Sequence, residues 1–130
     1  MLLYGHRFIK SPSFYHIQSI DSIQNTPPSS TILVEFSEKN LDIIQHLQQN
    51  SIKFAIEVNN ITDVIYASAL EASFIIVQKE IVSTVQEIAN NYLFDAKILV
   101  LIENEDEIQE MAILSIDGVI FTNAIIKINS

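Results

Sequence analysis

Two stretches, TILVEFS and KFAIEVN, each carry one glutamate, Glu35 and Glu57, in the place just before the last apolar residue of the run. Side chains alternate along a strand, so Glu35 shares a face with Leu33 and Glu57 with Ala55. Gln78 on SFIIVQ and Leu101 on KILVLI fall at the matching place. If the two glutamate strands are neighbours, the carboxylates stand side by side about 5 Å apart. Such a pair shares a proton, takes up a cation, or pairs with a base. The chemistry on offer is acid/base catalysis, or a Mg²⁺ or Mn²⁺ ion held by Glu35, Glu57 and water. His6 would supply a base and Arg7 a substrate-binding cation if the first strand joins the same edge. Asn123, just past the last apolar run, is a further contact candidate. The plain alternative is that both glutamates reach solvent or pair with Arg7, Lys53 or Lys79.

The other candidates point to structure. Glu103, Asn104, Glu105, Asp106 and Glu107 lie between an apolar run and a helical pattern, where the helix dipole favours acids. The patch lacks the alternating ligands and central glycine of a calcium loop. His6, His16 and His46 show no metal-ligand spacing, and no Gly-x-Ser-x-Gly is present. Tyr92-Leu93-Phe94 is expected to pack a helix end onto the sheet, and Asp117-Gly118 to turn a helix into the last strand.

The elements that must position these residues follow from apolar periodicity. TILVEF (31–36), KFAIEV (53–58), SFIIVQ (73–78), KILVLI (97–102) and GVIFT (118–122) read as strands covered on both faces. The segments between them carry apolar residues at helical spacing, such as Val64, Ala67 and Leu70 or Ile108, Met111 and Leu114. Ser37, Asn59/Asn60 and the pair Asn104 with Glu107 supply the expected caps. The pattern predicts a single α/β domain of repeated β-α units with a mainly parallel sheet. Either a half-barrel-like sheet or a flavodoxin-like three-layer order satisfies it.

Residues 1–30 hold one or two strands and the Pro27-Pro28 loop, residues 31–122 the repeated units, and residues 123–130 a C-terminal tail. Residues 53–77 align with 97–121 without a gap, at an offset of 44, with Lys53/Lys97, Asn60/Asn104 and Leu70/Leu114 identical.

Composition narrows the function classes. A net charge of −9 with only seven basic residues opposes nucleic acid and anionic membranes. The absence of cysteine removes disulfides, thiolate metal sites and thiol catalysis. Two distant glycines, Gly5 and Gly118, leave no glycine-rich phosphate loop. No apolar run reaches a membrane span, and Arg7 and Lys10 interrupt any leader-like core, which predicts a cytoplasmic protein.

From SFYHIQSIDSIQ through DGVIF the chain resembles a family of small uncharacterised bacterial proteins, most clearly in NYLFDAKILVLI and DGVIFTNAI. That resemblance implies no activity. LYGHRFIKSP and IDGVIFTNAI also resemble the first and last strands of glycerophosphodiester phosphodiesterases, which are (βα)8 barrels. Those enzymes place a His-Arg after the first strand, which His6-Arg7 matches. They also require a Glu-x-Asp on the second strand, where this chain reads Glu35-Phe36-Ser37, so the activity is not implied.

Two functions are therefore expected in competition. The first is a non-catalytic module acting through protein contacts, with no cofactor, as a homodimer that covers an open sheet face. The alternative is a divalent-cation-assisted enzyme on a small polar or phosphorylated molecule.

Overall fold

A computed structural model of the chain describes residues 1–128. The elements run β1 (Leu2–Tyr4), β2 (Phe14–His16), β3 (Thr31–Glu35), α1 (Leu41–Gln49), β4 (Phe54–Glu57), α2 (Ile61–Ala69), β5 (Phe74–Val77), α3 (Lys79–Asn91), β6 (Lys97–Ile102), α4 (Asp106–Ile113), β7 (Gly118–Phe121) and β8 (Ile125–Lys127). All eight strands pair in parallel in one sheet of order β1-β7-β6-β5-β4-β3-β2-β8. From β3 to β7 the order is sequential, which rules out the flavodoxin-like alternative.

Burial explains why the helices lie on one side. Val34, Ile56, Ile75, Val100 and Val119 form one cluster with Ile44, Leu47, Val64, Val85 and Met111 of the helices. The alternate strand residues, Leu33, Ala55, Phe74, Ile76, Leu99 and Ile120, form a second cluster that contains no residue of α1 to α4. The sheet is therefore helix-covered on its convex face and packed against itself on its concave face.

The curl is measurable from the rings. Tyr4 on β1 and Phe14 on β2 are six strand positions apart. A flat sheet at ~4.8 Å per strand would separate them by roughly 29 Å. Their ring centroids are 5.0 Å apart, and Phe74 of the central β5 meets them at 5.8 and 5.3 Å. The half-barrel expected from the sequence is thus curled until its ends meet. The expected open inner face is filled by the chain's own aromatic and aliphatic side chains.

Both glycines serve this closure. At Gly118 a Cβ would come 2.7 Å from Leu2 Cβ and 2.8 Å from Leu99 Cδ2, so β1 approaches β7 only because no side chain is there. The turn itself does not need Gly118: the left-handed residue there is Ser115, and Asp117 Oδ2 accepts the Ile98 N–H at 2.9 Å. Gly5, at φ 87°, lets the segment after β7 cross the end of β1, with Asn123 Oδ1 2.9 Å from where a Cβ would stand. That segment does not run on as a tail. Thr122–Ala124 makes a 3-10 turn and Ile125–Lys127 pairs with β2, while residues 129 and 130 of the expected tail lie outside the described residues.

All four helices end alike. Ser51, Glu71, Leu93 and Ser115 take positive φ one residue past the cap. The next amide then reaches back five residues: Ile52 to Leu47, Ala72 to Ala67, Phe94 to Ala89 and Ile116 to Met111. These are Schellman endings built without glycine. They also explain Tyr92 and Leu93, which are 74% and 84% exposed rather than packed on the sheet. The left-handed residue turns the chain outward, and only Phe94 returns to the core.

Candidate functional site

β3 and β4 pair with Glu35 opposite Glu57, the register expected from the sequence. The alternation that sends Leu33 and Ala55 into the concave interior sends both glutamates to that same face, one step nearer the carboxyl ends of the strands. In α/β sheets and barrels that end is where ligands bind. The match to Gln78 and Leu101 expected from the aligned runs does not carry over to the register: β5 sets Ile76 opposite Glu57, and β6 sets Leu99 opposite Ile76. Beyond the two carboxylates that level of the inner face is hydrocarbon, and the half-buried Gln78 follows β5 as the N-cap of α3.

Glu35 is exposed and Glu57 half-buried. Burial pushes the Glu57 carboxyl above its ordinary value; His16 and Lys127 pull it back down, and the like charge of Glu35 adds to the rise. His16 ends β2 and stands beside Leu33 of β3 in register, and Lys127 ends β8 opposite His16. The mouth thus holds two acids and two basic side chains brought together from four strands. His16 was readable as a candidate from the inward face it shares with Phe14. Lys127 was not, because β8 is three residues long and its pairing with β2 bridges almost the whole chain.

The basic residues proposed to neutralise the pair are engaged elsewhere. Arg7 grips Glu105 with Nε at 2.8 Å and a terminal nitrogen at 3.3 Å, and holds the Glu105 carboxyl below its ordinary range. Lys79 is paired with Glu107, and Lys53 lies over the Phe74 ring at 5.1 Å.

His6 is also committed. Its Nδ1 accepts the Phe8 N–H at 3.1 Å, which leaves the proton on Nε2, 2.9 Å from Glu105 Oε1. His6 and Arg7 are thus both held on Glu105, and the basic groups that act on Glu57 are His16 and Lys127 instead. Asn123 Nδ2 donates to the Gly5 carbonyl at 3.0 Å and fastens the crossing of the last segment.

The acidic patch after β6 is a helix start, as its sequence indicates. Glu107 reaches back to accept the backbone N–H groups of Glu103 and Asn104, both at 2.9 Å. The Lys79 ammonium and these two amides bring its carboxyl down to about 2. Asn60 caps α2 by accepting the Asp63 N–H at 2.9 Å, and Ser37 accepts the Lys39 N–H at 3.3 Å ahead of α1.

Beside the pair, the loops after β2 and β3 enclose a cleft of about 520 Å³ lined by residues 16–21 together with Glu35, Lys39, Asn40, Asp42 and Ile43. Among the described residues no group of three or more His, Asp or Glu side chains is spaced to hold a metal ion. Glu35 and Glu57 alone suit a hard cation such as Mg²⁺, which keeps several waters and needs only one or two carboxylates. No helix among the described residues is long and apolar enough to cross a membrane.

Fold and site together define an α/β protein with a curled, all-parallel sheet and a charged mouth at its carboxyl-terminal end. Comparison of the sequence with protein-family models and with curated proteins finds no match.

Proposed function

We propose that the protein binds a small polar molecule at the carboxyl-terminal mouth of its sheet, with Glu35 and Glu57 receiving the positive part of the ligand. That positive part is an amine or a ligand-borne Mg²⁺ or Mn²⁺ ion. The observation that carries this reading is the direct register of two carboxylates on the inward face, one of them half-buried and raised by burial. Two like charges in that position are relieved by a shared proton or a bound cation. The same arrangement suits Glu57 to proton transfer, because a carboxyl raised toward neutrality is a better general acid or base. A titration of Mg²⁺ and Mn²⁺, followed by thermal unfolding of wild type and of Glu35→Gln and Glu57→Gln, tests it. The melting temperature rises with metal in wild type and not in either variant; equal shifts in all three would sink the reading.

A second reading, protein contact through self-association, is favoured by one feature. Phe36, Leu41, Tyr66 and Leu70 line an apolar groove between α1 and α2, with Leu41 41% and Tyr66 50% exposed. Sedimentation of wild type and Tyr66→Glu distinguishes it: a dimer that the variant dissociates supports it, and a monomer at all concentrations removes it.

A further inference from the structure

The cleft between the β2 and β3 loops brings charges of both signs onto one lining. The ion pairs among the described residues, Arg7 and His6 on Glu105 and Lys79 on Glu107, lie outside it. Lys39, Asp21, Asp42 and Glu35 all line it, and none joins an ion pair among the described residues. His16 also lines it, in register with Leu33 of β3, two residues before Glu35.

The floor is apolar. Ile17 and Ile43 are 1% and 4% exposed, and the half-buried Ile20 completes it. The walls are held in place. Asn40 Nδ2 donates to the Glu35 carbonyl at 2.9 Å, and the Ser19 and Ser22 hydroxyls bond at 2.9 Å. A preformed cleft of this size falls within the range for small-molecule sites of roughly 300–1,000 Å³, and its rigidity lowers the ordering cost of binding.

We propose that this cleft takes a zwitterion with a small aliphatic body, of the α-amino acid class. Its ammonium goes to Glu35, its carboxylate to Lys39 and its side chain onto the isoleucine floor. A simple anion is disfavoured, because three carboxylates outnumber the one lysine. A simple amine satisfies the acids and leaves Lys39 unmatched. A ligand with both charges and an apolar arm meets Glu35, Lys39 and the isoleucine floor together. The inference rests on the mouth being a ligand site at all, and the experiment separates the two claims.

The test is a titration of ¹⁵N-labelled protein, following the amide resonances of residues 16–21 and 35–43. The probes are L-alanine, L-valine and L-leucine, each beside its decarboxylated amine and its deaminated acid. The expected result is saturable shifts with at least one amino acid, at least tenfold tighter than with its matched amine or acid. Lys39→Met should reduce the amino acid to the affinity of the amine, and Glu35→Gln should reduce it to that of the acid. Both substitutions are at exposed positions, so the unchanged remainder of the spectrum reports an intact fold.

Equal affinity for all three members of each set, or no response to any, overturns the zwitterion assignment. A Mn²⁺ titration of the same sample then decides the broader reading. Broadening of the residue 35 and 57 resonances leaves the mouth as a site for a different ligand. No broadening, together with no amino acid response, overturns both.

Discussion

Glu107 joins three donors at one point: the Glu103 and Asn104 amides and the Lys79 ammonium. It is only 9% exposed, so Glu107→Ala removes a buried acceptor rather than a solvated one. Loss of a helix cap costs about 1 kcal/mol, in a range of about 0.5–2. The lysine side chain is 50% exposed, so its pairing is screened by solvent and the cap carries the effect. A total of about 1 kcal/mol follows. For a chain of 130 residues the unfolding entropy is about 0.27 kcal/mol/K, so the melting temperature falls by about 4 °C.

The pH dependence carries the sharper test. The folded carboxyl, at about 2, lies below the ordinary value of 4.5. Between these values the unfolded chain binds more protons, so stability rises with pH. The stabilisation by Glu107 is therefore full above about 4.5 and is lost as pH falls toward about 2. Calorimetry of wild type and Glu107→Ala at neutral pH and at pH near 3 should show the difference shrinking in acid. A drop below about 2 °C at neutral pH, or a difference that does not change with pH, would refute the reasoning.

Leu93 is 84% exposed at φ 54°, so Leu93→Gly removes left-handed strain without losing packing. The strain is about 1–2 kcal/mol, of which the glycine's extra chain entropy offsets about 0.5–1 kcal/mol, so the melting temperature should rise by a few degrees. Gly118→Ala should do the reverse, because its Cβ meets Leu2 Cβ at 2.7 Å and the Leu2 backbone oxygen at 2.9 Å. Overpacking of this kind costs about 1–3 kcal/mol. Amide exchange of Leu3 and Tyr4 should accelerate more than that of β4 if the damage is local to the β1–β7 seam.

Much of this fold can be read from the residues because its strands are buried on both faces. KILVLI is a strand over its full length, and the other four runs differ from β3, β4, β5 and β7 only at their ends. Strand alternation alone places Glu35 and Glu57 on one face, and the parallel register then sets them side by side. The 44-residue repeat is also structural: β4-α2-β5 overlies β6-α4-β7, and the left-handed Glu71 falls on Ser115.

What stayed hidden depends on contacts between distant segments. β8 has two isoleucines and a lysine, too short a pattern to mark a strand. Its partner β2 lies more than a hundred residues earlier, so neither Lys127 nor its place beside His16 has a local signal. The curl that closes Tyr4 onto Phe14 depends on Gly118 as empty space, whereas a glycine after Asp117 reads in sequence as a turn. Helix ends were obscured because serine, glutamate and leucine occupy positions where glycine is usual. His6 and Arg7 looked available because Glu105, their partner, lies 98 residues away from Arg7 in the chain.

The most direct test of the mouth is a ¹³C carboxyl titration of Glu57 by NMR, in wild type and in Glu35→Gln. Burial and the facing carboxylate both raise Glu57, so its midpoint in wild type should lie above the ordinary 4.5 and fall when Glu35 loses its charge. A Glu57 that titrates at the ordinary value in both proteins would mean that the two carboxylates do not act on each other, and the mouth would lose its claim to be a site.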